Sequence, residues 1–168
     1  MEKALRVIND IQKLGIIRSY AIGGGIAVTY YVEPVLTFDL DVFFIPVQEG
    51  LDVLSPIFNY LKKRRYKFQK ERIIIERIPV QFIPVYNDLV RDAVEQAIES
   101  KYKRVKTKIF RPEHLLAIAL QTYRPKDRDR IIKLLDEARL DFKYLIELLR
   151  KYGLHDKYLK FKSQFYEK

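Results

Sequence analysis

The chain has 168 residues, 48% hydrophobic and 32% charged, which fits a folded globular protein and excludes a disordered one. It contains no cysteine, so disulfides and thiolate metal centres are excluded, and its two histidines, His114 and His155, stand too far apart for zinc-ligand spacing. The net charge of +10 favours polyanionic partners such as nucleotides, RNA or DNA, and equally fits a surface dense in Lys, Arg and Glu. No apolar leader core and no run of about 18 apolar residues is visible, so a cytoplasmic protein without a membrane partner is expected.

In chain order, Ala4, Leu5, Ile8 and Ile11 recur at helical spacing and Gly15 marks the stop. Residues 18–22 read as a short strand and residues 25–31 as a helix after a glycine turn. Residues 38–45 read as a buried strand. Residues 51–63 read as a helix in which Ser55-Pro56 marks a kink or a fresh start. Residues 68–76 and 78–85 look like paired strands, with Pro79 at an edge or a strand beginning. Asn87 or Asp88 caps a helix expected to run to about Ile98. Residues 103–110 alternate Val105, Thr107 and Ile109 with Arg104, Lys106 and Lys108, a half-buried strand with a basic outer side. That basic side reads either as a charge-protected edge or as an RNA-facing stripe. From Pro112 the pattern is helical: 112–122, 126–138, 141–152, then a basic, aromatic tail. Residues 1–110 thus read as an α/β unit and residues 111–168 as a helical region packed on it.

Chemistry concentrates in two places. In Thr37-Phe38-Asp39-Leu40-Asp41-Val42 two acids alternate with apolar residues, so both carboxylates leave one face of a strand. Two like charges held together call for a shared proton or a cation, and a hard divalent metal such as Mg²⁺ or Mn²⁺ supplies it. Upstream, Ile22-Gly23-Gly24-Gly25 is a strand end running into glycines. Glycine lets backbone amides approach a phosphate, and a helix N-terminus favours the anion.

These two motifs together resemble the nucleotidyltransferase superfamily, whose signature is Gly-Gly or Gly-Ser followed at a distance by Asp-x-Asp on a strand. Gly24-Gly25-Ile26-Ala27-Val28 and, downstream, Arg124-Pro125-Lys126-Asp127 are similar to two segments of the toxin nucleotidyltransferases of abortive-infection systems. The resemblance implies a nucleotidyltransferase-like mixed β-sheet flanked by helices and followed by a C-terminal helical layer. It implies transfer of a nucleoside monophosphate from an NTP such as ATP to a hydroxyl of RNA, tRNA or a protein. Asp39 and Asp41 would be catalytic and hold Mg²⁺ (or Mn²⁺). Gly23, Gly24, Gly25, Lys126 and Asp127 would bind the nucleotide, with Asp127 orienting Lys126 or favouring its helix start. A toxin–antitoxin setting with a separate helical or antitoxin partner follows from the same resemblance. Many active members carry a third carboxylate on a later strand, and here Gln81 holds that place. An amide neither carries negative charge nor accepts a proton well. The residues therefore leave open catalysis, binding of nucleotide or RNA without turnover, and a role as an interaction partner. Glu76 lies close in sequence, on the other face if the strand is continuous. His114 reads as a hydrogen-bonded structural residue, Tyr123 as a packing residue or a base platform, and Arg124, Arg128 and Arg130 as surface charges more often than as contacts to nucleotide or nucleic acid.

Overall fold

The computed structural model describes residues 1–34, 37 and 39–167. The start of the predicted 38–45 strand, at Phe38, lies outside them. Among the described residues there are eight helices and seven strands: α1 (Glu2–Lys13), β1 (Ile17–Gly23), α2 (Gly24–Tyr31), β2 (Leu40–Pro46), α3 (Ser55–Lys63), β3 (Lys67–Gln69), β4 (Arg72–Ile75), β5 (Ile78–Pro84), α4 (Asp88–Glu95), β6 (Ile98–Tyr102), β7 (Val105–Ile109), α5 (Pro112–Thr122), α6 (Pro125–Glu137), α7 (Phe142–Lys151) and α8 (His155–Phe165). The strands form one mixed sheet in the order β3-β4-β5-β2-β1-β7-β6. β2 runs antiparallel to β1 and parallel to β5, and β1 meets β7 in parallel.

Local chemistry explains the boundaries. α1 buries Ala4, Leu5, Val7, Ile8 and Ile11 and ends where Gly15, at φ +72°, closes two backbone bonds, Gly15 N to Gln12 O and Ile16 N to Ile11 O. α3 starts afresh at Ser55, whose N–H is taken by Asp52 Oδ1, so residues 51–54 are not helical as expected. Asn87 Oδ1 accepts from Val90 N and caps α4. That helix stops at Glu95, short of Ile98, because Ile98 opens β6 and pairs with Ile109. β6 was missed in the sequence, and the expected single strand 68–76 is two. The connecting turns use Lys70, Glu76, Arg77 and Lys103 at positive φ, so they carry none of the Asn-Gly signals of tight hairpins. β7 is correspondingly an inner strand, and the sheet ends at β6 and β3.

Pro79 falls at the start of β5, one residue before β5 joins β2 at Leu40↔Val80. The central strands bury Leu40, Val42, Phe44, Val80 and Phe82 in one continuous apolar cluster that includes Leu116, Leu120, Ile131 and Leu149 of the C-terminal helices. α5 is buried along most of its length and packs against α2, α4, α6 and α7. Among the described residues no helix is long and apolar enough to cross a membrane.

Candidate active site

Register alignment builds the site. Gly23 pairs with Asp41 across β1 and β2, and Asp41 pairs with Gln81 across β2 and β5. The three residues stand side by side on three neighbouring strands, so the glycine turn, the second acid and the amide share one row. Asp39 lies two residues upstream on the chain entering β2, on the same side by alternation. Both predicted acids and the whole glycine bend thus converge.

The bend requires its glycines. Gly24 sits at φ +60°, and a Cβ there would collide with the Asp41 carboxylate. A Cβ on Gly25 would lie 2.7 Å from Thr37 Oγ1 and 3.0 Å from Arg130 Nη2. Gly23 is wedged against Phe43 and Phe110, whose rings are 4.9 Å apart. Asp41 therefore rests directly on the backbone that starts α2.

A cleft of about 300 Å³ opens above this row. Gly24, Asp39, Asp41 and Gln81 line its floor. Val28, Phe43, Phe110, Leu115 and Ile118 give it an apolar wall, and Arg72, Arg124, Lys126 and Arg130 give it a cationic rim. Burial pushes the Asp41 carboxyl above the ordinary carboxylate range. Arg130 pulls it back and Asp39 pushes it further up. Asp39 is neutralised by Arg72, whose Nη2 lies 2.6 Å from Asp39 Oδ2.

The predicted phosphate residues separate into two roles. Lys126 is exposed in the first turn of α6 and faces the cleft. Asp127 is 1% exposed and fully engaged by its own chain. Its Oδ2 accepts from Thr122 Oγ1 at 2.8 Å, from Arg124 N at 3.0 Å and from Arg124 Nε at 2.8 Å, and Arg130 Nη1 lies 3.5 Å from Oδ1. Burial alone would raise its pKa, but these donors outweigh it and the net shift is downward. Asp127 thus fixes the start of α6 and aims Arg124 and Arg130, rather than presenting a free carboxylate.

Glu76 sits in the β4–β5 turn and accepts from the Tyr66 hydroxyl at 3.1 Å, so it does not replace a third acid. Among the described residues no group of three or more carboxylate or imidazole side chains is gathered for a metal. His114 is fully buried, but neither ring nitrogen has a hydrogen-bond partner among the described residues. Its nearest acid is Asp92, at 3.6 Å. The expected hydrogen bond is therefore missing. Tyr123 packs edge-on against Phe161 and lies beneath Lys157.

Arg124 and Arg130, read from the sequence first as surface charges, line the cleft, and Arg130 lies four residues after Lys126 on the same helix face. Arg72 is the site residue that sequence reasoning did not single out, because only the strand register brings it to Asp39.

No protein-family model matches the chain, and no curated protein matches it by sequence. Solved structures do match in shape. An antigenic nucleotidyltransferase-like protein from Paracoccidioides brasiliensis aligns over 99% of this chain and 95% of its own, with a TM-score of 0.55 at 15% identity. The antibiotic-resistance factor ANT(2″)-Ia aligns over 95% of this chain and 97% of its own, with a TM-score of 0.50 at 12% identity. At these identities the likeness is one of architecture: the chain has a nucleotidyltransferase-like fold.

Proposed function

We propose that the cleft binds a nucleoside triphosphate with a divalent cation, and that the protein transfers a nucleoside monophosphate to a hydroxyl acceptor: the hydroxyl oxygen, losing its proton, bonds to the α-phosphorus while the α–β bridge breaks and pyrophosphate leaves. The observation that carries this reading is the row Gly23–Asp41–Gln81, with Asp39 beside it and the Gly24 bend lying against the Asp41 carboxylate. The donor set fits a hard cation: two carboxylates and an amide oxygen supply oxygen ligands, leaving positions for phosphate and water. Burial and the neighbouring Asp39 disfavour a bare Asp41 carboxylate, which a bound cation would offset. When bound, Mg²⁺ or Mn²⁺ would supply Lewis-acid polarisation of the phosphoryl oxygens.

The chain's own residues do the positioning. The start of α2 offers backbone N–H groups to phosphate. Lys126 and Arg130, one turn apart, draw negative charge toward the rim, while Asp127 holds Arg124 and Arg130 in place. The Phe43–Phe110 wall excludes water and accepts an apolar or aromatic face of the ligand. Positioning and electrostatics of this kind provide most of the catalysis that phosphoryl chemistry needs. RNA, including a tRNA end, is the first acceptor class given the basic charge, and a protein side chain the second. The segments at Gly24–Val28 and Arg124–Asp127, which meet at this cleft, support a further placing in an abortive-infection or toxin–antitoxin setting with a separate partner protein.

Labelled NTPs with Mg²⁺ and total RNA test the activity. Transfer that disappears in Asp39→Ala/Asp41→Ala is the expected result, and no transfer by the wild type counts against it. Gln81 favours a second reading, nucleotide or RNA binding without turnover, because it stands in register with Asp41 where an acid would complete the set. ATP binding without any transfer, with transfer gained in Gln81→Glu, selects that second reading.

A further inference from the structure

Positive charge gathers in two stretches, residues 101–111 with six Lys or Arg and no carboxylate, and residues 62–77 beside the acid pair. From Lys62 to Arg77, eight of sixteen residues are Lys or Arg against two carboxylates, Glu71 and Glu76, a net +6 of the chain's +10. All eight cations are exposed. The segment covers the end of α3, the edge strand β3 and strand β4, and it is anchored where Phe68 packs edge-on against Phe58 at 5.4 Å. Charged residues commonly protect a sheet edge. Edge protection alone does not explain where these point.

The register does. Gln69 pairs with Arg72, Lys67 with Ile74, Ile74 with Pro79, and Gln81 with Asp41. Side chains alternate along each strand, so Lys67, Gln69, Arg72, Gln81 and Asp41 share one face of the sheet. Arg72 lies one step beyond the Ile73↔Val80 pair, level with Gln81. Gln69, Arg72, Gln81, Asp41 and Gly23 therefore form a single row across five strands, about 19 Å long at ~4.8 Å per strand. The basic edge leads straight to the acid pair, and Arg72 already touches Asp39.

We propose that this basic ribbon is the docking surface for the acceptor, a single-stranded polynucleotide whose terminal hydroxyl is led along the row into the cleft. The proposal deepens the functional reading above and rests on it. Lys63, Arg65, Lys67 and Lys70 would neutralise phosphodiesters, and Arg72 is the last cation before the acids. A protein partner fits less well, because protein interfaces are poor in Lys and centred on apolar anchors, whereas this surface is Lys-rich and Phe68 is turned onto Phe58. A cleft of about 300 Å³ admits a strand end rather than a duplex.

Fluorescence anisotropy with 5′-labelled single-stranded RNA and DNA, without NTP or metal, tests the ribbon separately from the nucleotide site. The wild type should bind either strand, with log K falling against log salt at about −0.7 per phosphate contacted between about 50 and 200 mM. The combined variant K63Q/R65Q/K67Q/K70Q should lose about tenfold or more in affinity and flatten that slope. Its thermal midpoint and ATP affinity should stay at the wild-type values. The matching change towards the other end of the sheet, in β7 and the turn before it, R104Q/K106Q/K108Q, should leave binding within about twofold. No binding by the wild type, equal loss in both variants, or displacement by poly-glutamate as effective as by unlabelled strand would overturn the proposal. If the strand binds as predicted but ATP does not, the ribbon stands and the nucleotide reading of the cleft fails.

Discussion

Arg72 and Asp39 form an ion pair at 2.6 Å that joins β4 to the chain entering β2. In the absence of other ligands Arg72 is the cation that Asp39 holds, so metal must compete with it. Both side chains are partly exposed, at 50% and 30%, which keeps the pair within about 1 kcal/mol. Arg72→Gln is predicted to tighten Mn²⁺ binding without nucleotide by up to about fivefold. Electron paramagnetic resonance of free Mn²⁺ measures this, and weaker or unchanged binding contradicts it.

Gly24 carries both a left-handed backbone and the space that Asp41 occupies. Gly24→Ala is predicted to cost about 1–3 kcal/mol of stability from backbone strain and displacement of the carboxylate. Nucleotide binding should fall with it. Urea denaturation beside ATP titration gives both values; a variant that binds ATP normally removes the bend from the site.

Asp127 collects hydrogen bonds from Thr122 and Arg124 while nearly fully buried. Asp127→Asn keeps the shape but loses the charge and much of the accepting capacity. A loss of about 1–3 kcal/mol in denaturation free energy is expected. ATP affinity should fall as well, because Arg124 and Arg130 lose the group that aims them. Lower stability with unchanged ATP affinity would confine Asp127 to holding the helix start.

The parts of this architecture governed by nearby residues were legible in the sequence. The alternation at Asp39 and Asp41, the glycines at 23–25, the apolar periodicity of α1 and the Pro-led starts of α5 and α6 all act within a few residues. Gln81 was also placed, since it follows from one strand pattern, and the register sets it beside Asp41. What escaped depends on long-range pairing. β6 is polar in sequence and becomes a strand only against β7, and Arg72 reaches Asp39 only through β4, β5 and β2 lying in line. The engagement of Asp127 by Thr122 and Arg124 is local, yet it depends on Tyr123 adopting φ +48°, which no residue type signalled.

His114 gives a pH prediction away from the cleft. Burial lowers its pKa from 6.5, with Arg111 acting the same way and Asp92 and Glu113 opposing. Below about pH 6.5 the unfolded chain takes up a proton that the folded chain refuses. Stability from this group is therefore full above pH 6.5 and declines as pH falls toward the depressed folded value, by at most about 1.4 kcal/mol per unit. Asp92 is also held by the Tyr152 hydroxyl at 2.9 Å and lies 3.6 Å from Lys151 Nζ. The difference between wild type and His114→Gln, measured by urea denaturation from pH 7.5 to 5, isolates the His114 contribution. Parallel curves contradict the assignment.

The central claim is that Asp41 and the glycine bend hold a cation and a triphosphate together. Isothermal titration with a non-hydrolysable ATP analogue, with and without Mg²⁺, on wild type and on Asp41→Asn, tests it most directly. The account predicts that Mg²⁺ strengthens wild-type binding by about tenfold or more, and that Asp41→Asn keeps the Mg²⁺-free affinity but loses the gain. Equal affinity with and without Mg²⁺ in the wild type, or an undiminished Mg²⁺ effect in Asp41→Asn, would contradict it.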